Sequence, residues 1–184
     1  MHINHPDWLR DRVAALHAAG SPFTTPAARM RLAIELARTN VDRATGGPFG
    51  AVVTDGQGRL LGAGVNLVVS AGCAVLHAEI VALCMAHAAL KHHDLRAVAG
   101  APILATSVDP CAMCLGALVW SRIRRLECGA CTEDAERIGF DEGPKPADWV
   151  DALCARGIHV ERPVLRAESD AVLQAYAAGD GPRY

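Results

Sequence analysis

The chain predicts an α/β fold: a three-layer α/β/α sandwich with helices on both faces of one central, mixed five-stranded sheet. Three observations carry that expectation. Short apolar runs alternate with longer segments of helical spacing, two early runs are joined by a turn-forming Asp-Gly-Gln-Gly, and 51% hydrophobic content in 184 residues is enough to fill one core. The expected organisation is a single domain over 1–184, with an N-terminal appendage over about 1–22 and a C-terminal helix and tail over about 165–184.

The elements follow in order. Leu9, Val13 and Leu16 have helical spacing, with Asp7 as the expected N-cap and Gly20-Ser21-Pro22 as the break. Thr25-Pro26 is a cap and first-turn pair, and Met30, Ile34, Ala37 and Val41 form one face of a longer helix that Gly46-Gly47-Pro48 ends. Gly50 to Thr54 and Leu60 to Val65 read as a hairpin around Asp55-Gly56-Gln57-Gly58. His77 to His87 reads as a helix with Ile80, Leu83, Cys84 and His87 on one stripe and with His77 and Glu79 at its N-terminal end. Pro102 to Thr106 is a buried strand, and Pro110 opens a helix to about Ser121. Arg125 to Ala130 is a strand, and Thr132 to Ile138 a short helix capped by Thr132. After a loop from Gly139 to Pro144 come a helix from Ala147 to Arg156 stopped by Gly157, a short strand from Ile158 to Val160, and a terminal helix from Leu165 to Ala177.

Composition narrows the function. Eighteen basic against twenty acidic residues give a net charge of −2, and no dense basic run occurs, which argues against a nucleic-acid partner and for a small-molecule substrate. Residues Met1 to Arg12 contain no apolar h-region, and no apolar run approaches a membrane span. Seven scattered cysteines, an odd number, predict a reducing, cytoplasmic setting with metal use rather than a disulfide framework.

The chemistry is concentrated in Pro110-Cys111-Ala112-Met113-Cys114, read with His77-Ala78-Glu79. Cys111 and Cys114 lie one helical turn apart, so their sulfurs share a face, and a histidine from elsewhere in the fold completes a donor set suited to zinc. Three protein ligands leave a fourth position for a water, whose pKa falls toward about 7 on zinc. Glu79, two residues after His77, is placed to move protons to and from that water. H-x-E followed by P-C-x-x-C is the signature of zinc deaminases. Cys128-Gly129-Ala130-Cys131 has the same spacing without a histidine or a proline-led helix beside it, and reads as buried small apolar residues.

From about Gly46 to Tyr184 the chain resembles the bacterial zinc-dependent guanine deaminases of the cytidine deaminase-like superfamily. The residues that carry the resemblance are Gly47-Pro48-Phe49-Gly50-Ala51, Asn66, His77-Ala78-Glu79, Pro110 to Ala117, Trp120 and Gly139-Phe140-Asp141-Glu142-Gly143-Pro144. The last loop is the part most particular to the guanine branch. The resemblance implies one zinc ion per chain on His77, Cys111 and Cys114 with a catalytic water as fourth ligand, and Glu79 and Glu142 as catalytic carboxylates. It implies a nucleobase held by Asn66, the Ala78 N–H and Asp141, walled by Phe49 and Trp120 and covered by Tyr184. It also implies a hydrolase of purine catabolism, assembled as a homodimer with an exchanged C-terminal segment. Ammeline, cytosine or a nucleoside are alternative substrates, and an adenosine in tRNA is disfavoured by the absence of a basic C-terminal helix.

Overall fold

The computed structural model describes residues 3–20, 22–98 and 100–184; Met1, His2, Ser21 and Ala99 lie outside the described residues, so the expected break at Gly20-Ser21-Pro22 is seen only at its flanks. Five strands form one sheet in the order β2-β1-β3-β4-β5: β1 Gly50–Thr54, β2 Leu60–Val65, β3 Ile103–Val108, β4 Arg125–Ala130 and β5 His159–Glu161. β1 runs antiparallel to both neighbours, while β3, β4 and β5 are parallel, so the sheet is mixed as expected. The helices are α1 Asp7–Ala19, α2 Pro26–Asp42, α3 Val68–Ala71, α4 Ala78–Leu90, α5 Ala112–Ser121, α6 Thr132–Glu136, α7 Trp149–Ala155 and α8 Arg166–Ala177. No helix among the described residues is long and apolar enough to cross a membrane.

Alternation along β1 divides the core. Val52 packs with α1 and α2 on one face, together with Val172 of α8, while Ala51 and Val53 pack with α4, α5 and α7 on the other. Thr25 caps α2 as expected, its side chain accepting from Ala28 N at 3.1 Å.

Several local expectations shift. α1 is preceded by Pro6 as N-cap, so Asp7 is its first helical residue. Cys131, not Thr132, caps α6, and Asp134 reaches back to the Cys131 N–H at 2.9 Å. The buried side of α4 is Ala78, Val81, Ala82, Leu83 and Ala86, and Ile80, Cys84 and His87 are only half-buried. The cause is close approach to β2: a Cβ on Gly64 would lie 2.2 Å from the Ala78 carbonyl oxygen, and one on Gly62 would lie 2.3 Å from that of Ala82. Small residues therefore face the sheet, and the bulkier stripe is turned aside. The four-residue α3 and a 3₁₀ turn at Leu95–Ala97 had no sequence signal long enough to read.

The register sets the position of the site. Gly50 pairs with Val65, Ala51 with Thr106 and Val108 with Ala130, so the start of β1 and the ends of β2, β3 and β4 share one edge. This is the carboxyl end of the parallel strands, where open α/β sheets bind ligands.

Candidate active site

Two helix N-termini converge at that edge, and each presents a donor from its N-cap. His77 precedes α4 with φ −68° and ψ 159°, and Cys111 precedes α5 with φ −68° and ψ 172°. Pro110 was expected to open the second helix; the helix instead starts at Ala112, which leaves Cys111 extended and aimed back at His77. Cys111 Sγ and His77 Nδ1 are 3.4 Å apart, and the donor atoms of His77, Cys111 and Cys114 all lie within 4.8 Å of one another. Tetrahedral zinc with ordinary Zn–S and Zn–N bonds requires sulfur and nitrogen to be about 3.6 Å apart. The His77–Cys111 pair is close to that spacing, one borderline nitrogen and two soft sulfurs within 4.8 Å of one another are a donor set that suits zinc, and no other such cluster occurs among the described residues.

The electrostatics suit the same ion. A hydrogen bond from Cys114 holds the Cys111 thiol far below its ordinary value, and that bond together with burial pushes Cys114 far above. A metal cation held by both sulfurs would favour both as thiolates. Burial pushes the His77 imidazole down, but the hydrogen bond to Cys111 and the negative charge of Glu79 more than offset this. Burial also raises Glu79, which is 6% exposed in the first turn of α4.

Facing the donors is a slot lined by Phe49, Asn66, Val108, Asp109, Phe140, Asp141, Glu142 and Tyr184 besides His77, Glu79 and Cys111. Phe49 and Phe140 meet edge to face at 4.8 Å, and Phe140 meets Tyr184 at 5.5 Å. Glu142 Oε2 is buried without a hydrogen-bond partner. Burial pushes the Glu142 carboxyl up to about 8; Lys145 opposes the shift, and the negative charges of Cys111 and Glu79 add to it. An acceptor left open inside a polar slot is a place for a ligand's donor.

The tail closes the slot over its own chain. Tyr184 O–H donates to Asn66 Oδ1, and Asp141 N–H donates to the Tyr184 carbonyl at 3.4 Å. A Cβ on Gly47 would come within 2.8 Å of the Tyr184 hydroxyl, so glycine there makes room for the ring. Tyr176 O–H holds the Pro182 carbonyl at 2.8 Å, which orders a segment whose Gly and Pro content reads equally as disorder. α8 packs on β4. With the ring in place the free volume is about 30 Å³, room for about one water.

Eight of the eleven expected site residues line the slot and Cys114 joins them through the donor trio; Trp120 and Ala78 do neither. Trp120 is the correction: it is 78% exposed near the far end of α5, nine residues past Cys111 and so about 13 Å along the helix axis. It walls nothing in this chain. Ala78 is buried as the first residue of α4, with its side chain outside the lining. Sequence reasoning missed Phe140, whose signal was a bulky apolar residue amid the polar Gly139 to Pro144 loop, and also Val108 and Asp109. Asp109 is held by Arg162 at 2.9 Å and by Thr132 N–H at 3.0 Å, so its carboxylate supports the Pro110 turn. Larger cavities exist, such as one of about 330 Å³ between α2 and α8, but it has no metal-type donors.

Residues 24–130 match the family described as the cytidine and deoxycytidylate deaminase zinc-binding region. The guanine deaminase of Bacillus subtilis (strain 168) is 36% identical over 113 residues, 61% of this chain and 69% of that protein. The solved structure of a guanine deaminase from Nitrosomonas europaea is 44% identical, covers 97% of each chain and superposes with a TM-score of 0.87. A solved structure in complex with 2,6-diaminopurine, also 44% identical, covers 100% of this chain and 95% of that one with a TM-score of 0.88. With its donor trio, the two glutamates of the slot and likeness over nearly its whole length, this chain belongs to the zinc-dependent cytidine deaminase-like family, in the branch of the guanine deaminases.

Proposed function

We propose that the chain hydrolyses guanine to xanthine and ammonia in this slot, with zinc on His77, Cys111 and Cys114. The observation that carries the reading is the meeting of a zinc-type donor trio, buried Glu79 and the open Glu142 Oε2 in one aromatic slot. Relatives in the same branch support guanine as the ring: the proteins from Bacillus subtilis and Nitrosomonas europaea are guanine deaminases, and related structures hold 8-azaguanine and 2,6-diaminopurine.

Zinc, when bound, supplies a Lewis acid that lowers the pKa of a water in its fourth position. Glu79 takes a proton from the attacking water and passes it to the ring nitrogen, and its raised affinity for protons suits a group that must hold one in transit. Glu142 Oε2 accepts an N–H of the amine and holds it while Glu79 carries the second water proton, from the hydroxyl of the adduct, to that nitrogen as the C–N bond breaks, so nitrogen departs as neutral ammonia and both carboxyls return to their starting state. Asn66, relieved of the Tyr184 hydroxyl, turns its amide to the ring edge. Phe49 and Phe140 stack on the base and the Ala78 N–H, free at the helix start, binds its edge, while Asp141 and Tyr184 close the slot and exclude water.

A homodimer, the assembly implied by the resemblance, would cover the exposed ring of Trp120. Free thiols at all seven cysteines suit a reducing, cytoplasmic compartment. The test is Glu79→Ala: zinc should stay at one per chain while ammonia release from guanine falls by about 10³-fold or more. Loss of zinc with activity, or activity retained, would contradict the role given to Glu79.

A further inference from the structure

Lys145 is a buried lysine to which no role has yet been given. Its side chain is 7% exposed, with the ammonium 5.4 Å from the centre of the Trp149 ring. Such burial costs several kcal/mol unless the charge is fully engaged. Lys145 engages three segments at once. Nζ donates to the Pro110 carbonyl at 3.1 Å and to the Thr132 hydroxyl, and it lies 3.9 Å from Glu142 Oε2. Thr132 N–H in turn donates to Asp109 at 3.0 Å, one residue before Pro110. The Glu142 loop touches the metal-ligand turn at one further point, where Ala112 N–H donates to the Glu142 carbonyl at 2.9 Å.

Backbone pairing fixes where Glu142 lies but leaves its carboxyl free to swing, because a Glu side chain has three rotatable bonds. Among the described residues the cation within 4.0 Å of that carboxyl is Lys145, at 3.9 Å near enough to attract it and too far to satisfy it by a hydrogen bond. We infer that Lys145 is a positioning residue for the reaction: its ammonium locks the Glu142 loop onto the Pro110–Cys111 turn, so that the carboxyl meets the amine leaving the ring with a fixed aim. This rests on the deaminase reading and adds a residue to it.

Lys145→Met keeps the stem over Trp149 and removes the ammonium. Zinc-loaded wild type, Lys145→Met, Glu142→Gln and the double variant are compared for kcat, KM and metal content. Lys145→Met should keep one zinc per chain and lose about 10²-fold in kcat with KM nearly unchanged, the cost of about 1 Å of misplacement. In the Glu142→Gln background the same change should cost no more than about twofold, because both act through one group. Retained kcat, or an equal loss in both backgrounds, overturns the inference. If wild type fails to turn over guanine, the functional reading falls, and the crystal structure of zinc-loaded Lys145→Met decides this point separately. A Glu142 carboxyl swung out of the slot supports positioning; an unmoved one overturns it. Should Lys145→Met fail to fold, Lys145→Gln, which keeps an N–H toward Pro110 but no charge, serves the same comparison with the same outcomes.

Discussion

Glu142 Oε2 is buried with no hydrogen-bond partner, an arrangement that costs about 1–3 kcal/mol unless a ligand satisfies it. A residue that unfavourable in the free protein is explained by a donor arriving with substrate. Glu142→Gln should therefore keep zinc and lower kcat for guanine by about 10²-fold, as measured by steady-state ammonia release. The zinc trio and Glu79 were legible from the chain because their spacing is itself the chemistry: one helical turn between the cysteines, two residues between histidine and acid. Trp120 was misplaced because a linear motif does not say how far a helix carries its later residues from the site, and Phe140 escaped because a loop has no periodicity to mark its inward residue.

At the scale of elements, the five strands were legible from their apolar runs and turn residues, and β1, β2 and β4 have the expected bounds. The inward face of α4 was not, because it depends on Gly62 and Gly64 in a strand that contributes no side chain there. That close packing holds His77 and Glu79 at their height above the sheet. Gly64→Ala pushes a methyl into the Ala78 carbonyl, at the first turn of the helix that bears both. It should cost about 1–3 kcal/mol and lower zinc affinity as well, read by thermal unfolding and by titration with a chelator. A Tm within a degree or so of wild type would show that α4 can shift without consequence.

Across the whole molecule, the mixed topology collects at one edge residues from Phe49 to Tyr184, and that convergence of distant segments was not readable from spacing. The tail is the clearest case: its closure over its own chain depends on Gly47 and Tyr176, far from it in sequence or facing another way. α8 is anchored through Asp134 of α6, whose oxygens accept from Arg166 at 2.8 and 2.9 Å and from Arg137 at 2.8 Å. Arg166 foremost holds the Asp134 carboxyl well below the usual value of 3.8, so this stabilisation is complete above that pH and lost as pH falls beneath it. Asp134→Asn should lower the Tm at pH 7 and flatten its fall between about pH 4 and 2, with both curves followed by circular dichroism. Parallel curves would place the acid sensitivity elsewhere.

Conversion of guanine in this slot ties the residues, the elements and the sheet edge together. It is tested most directly by ammonia release from zinc-loaded wild-type protein offered guanine, guanosine, ammeline, cytosine and adenosine in parallel. The kcat/KM for guanine should be at least about tenfold above that for each of the others. Absence of turnover on guanine with one zinc per chain, or faster turnover of adenosine, would contradict it.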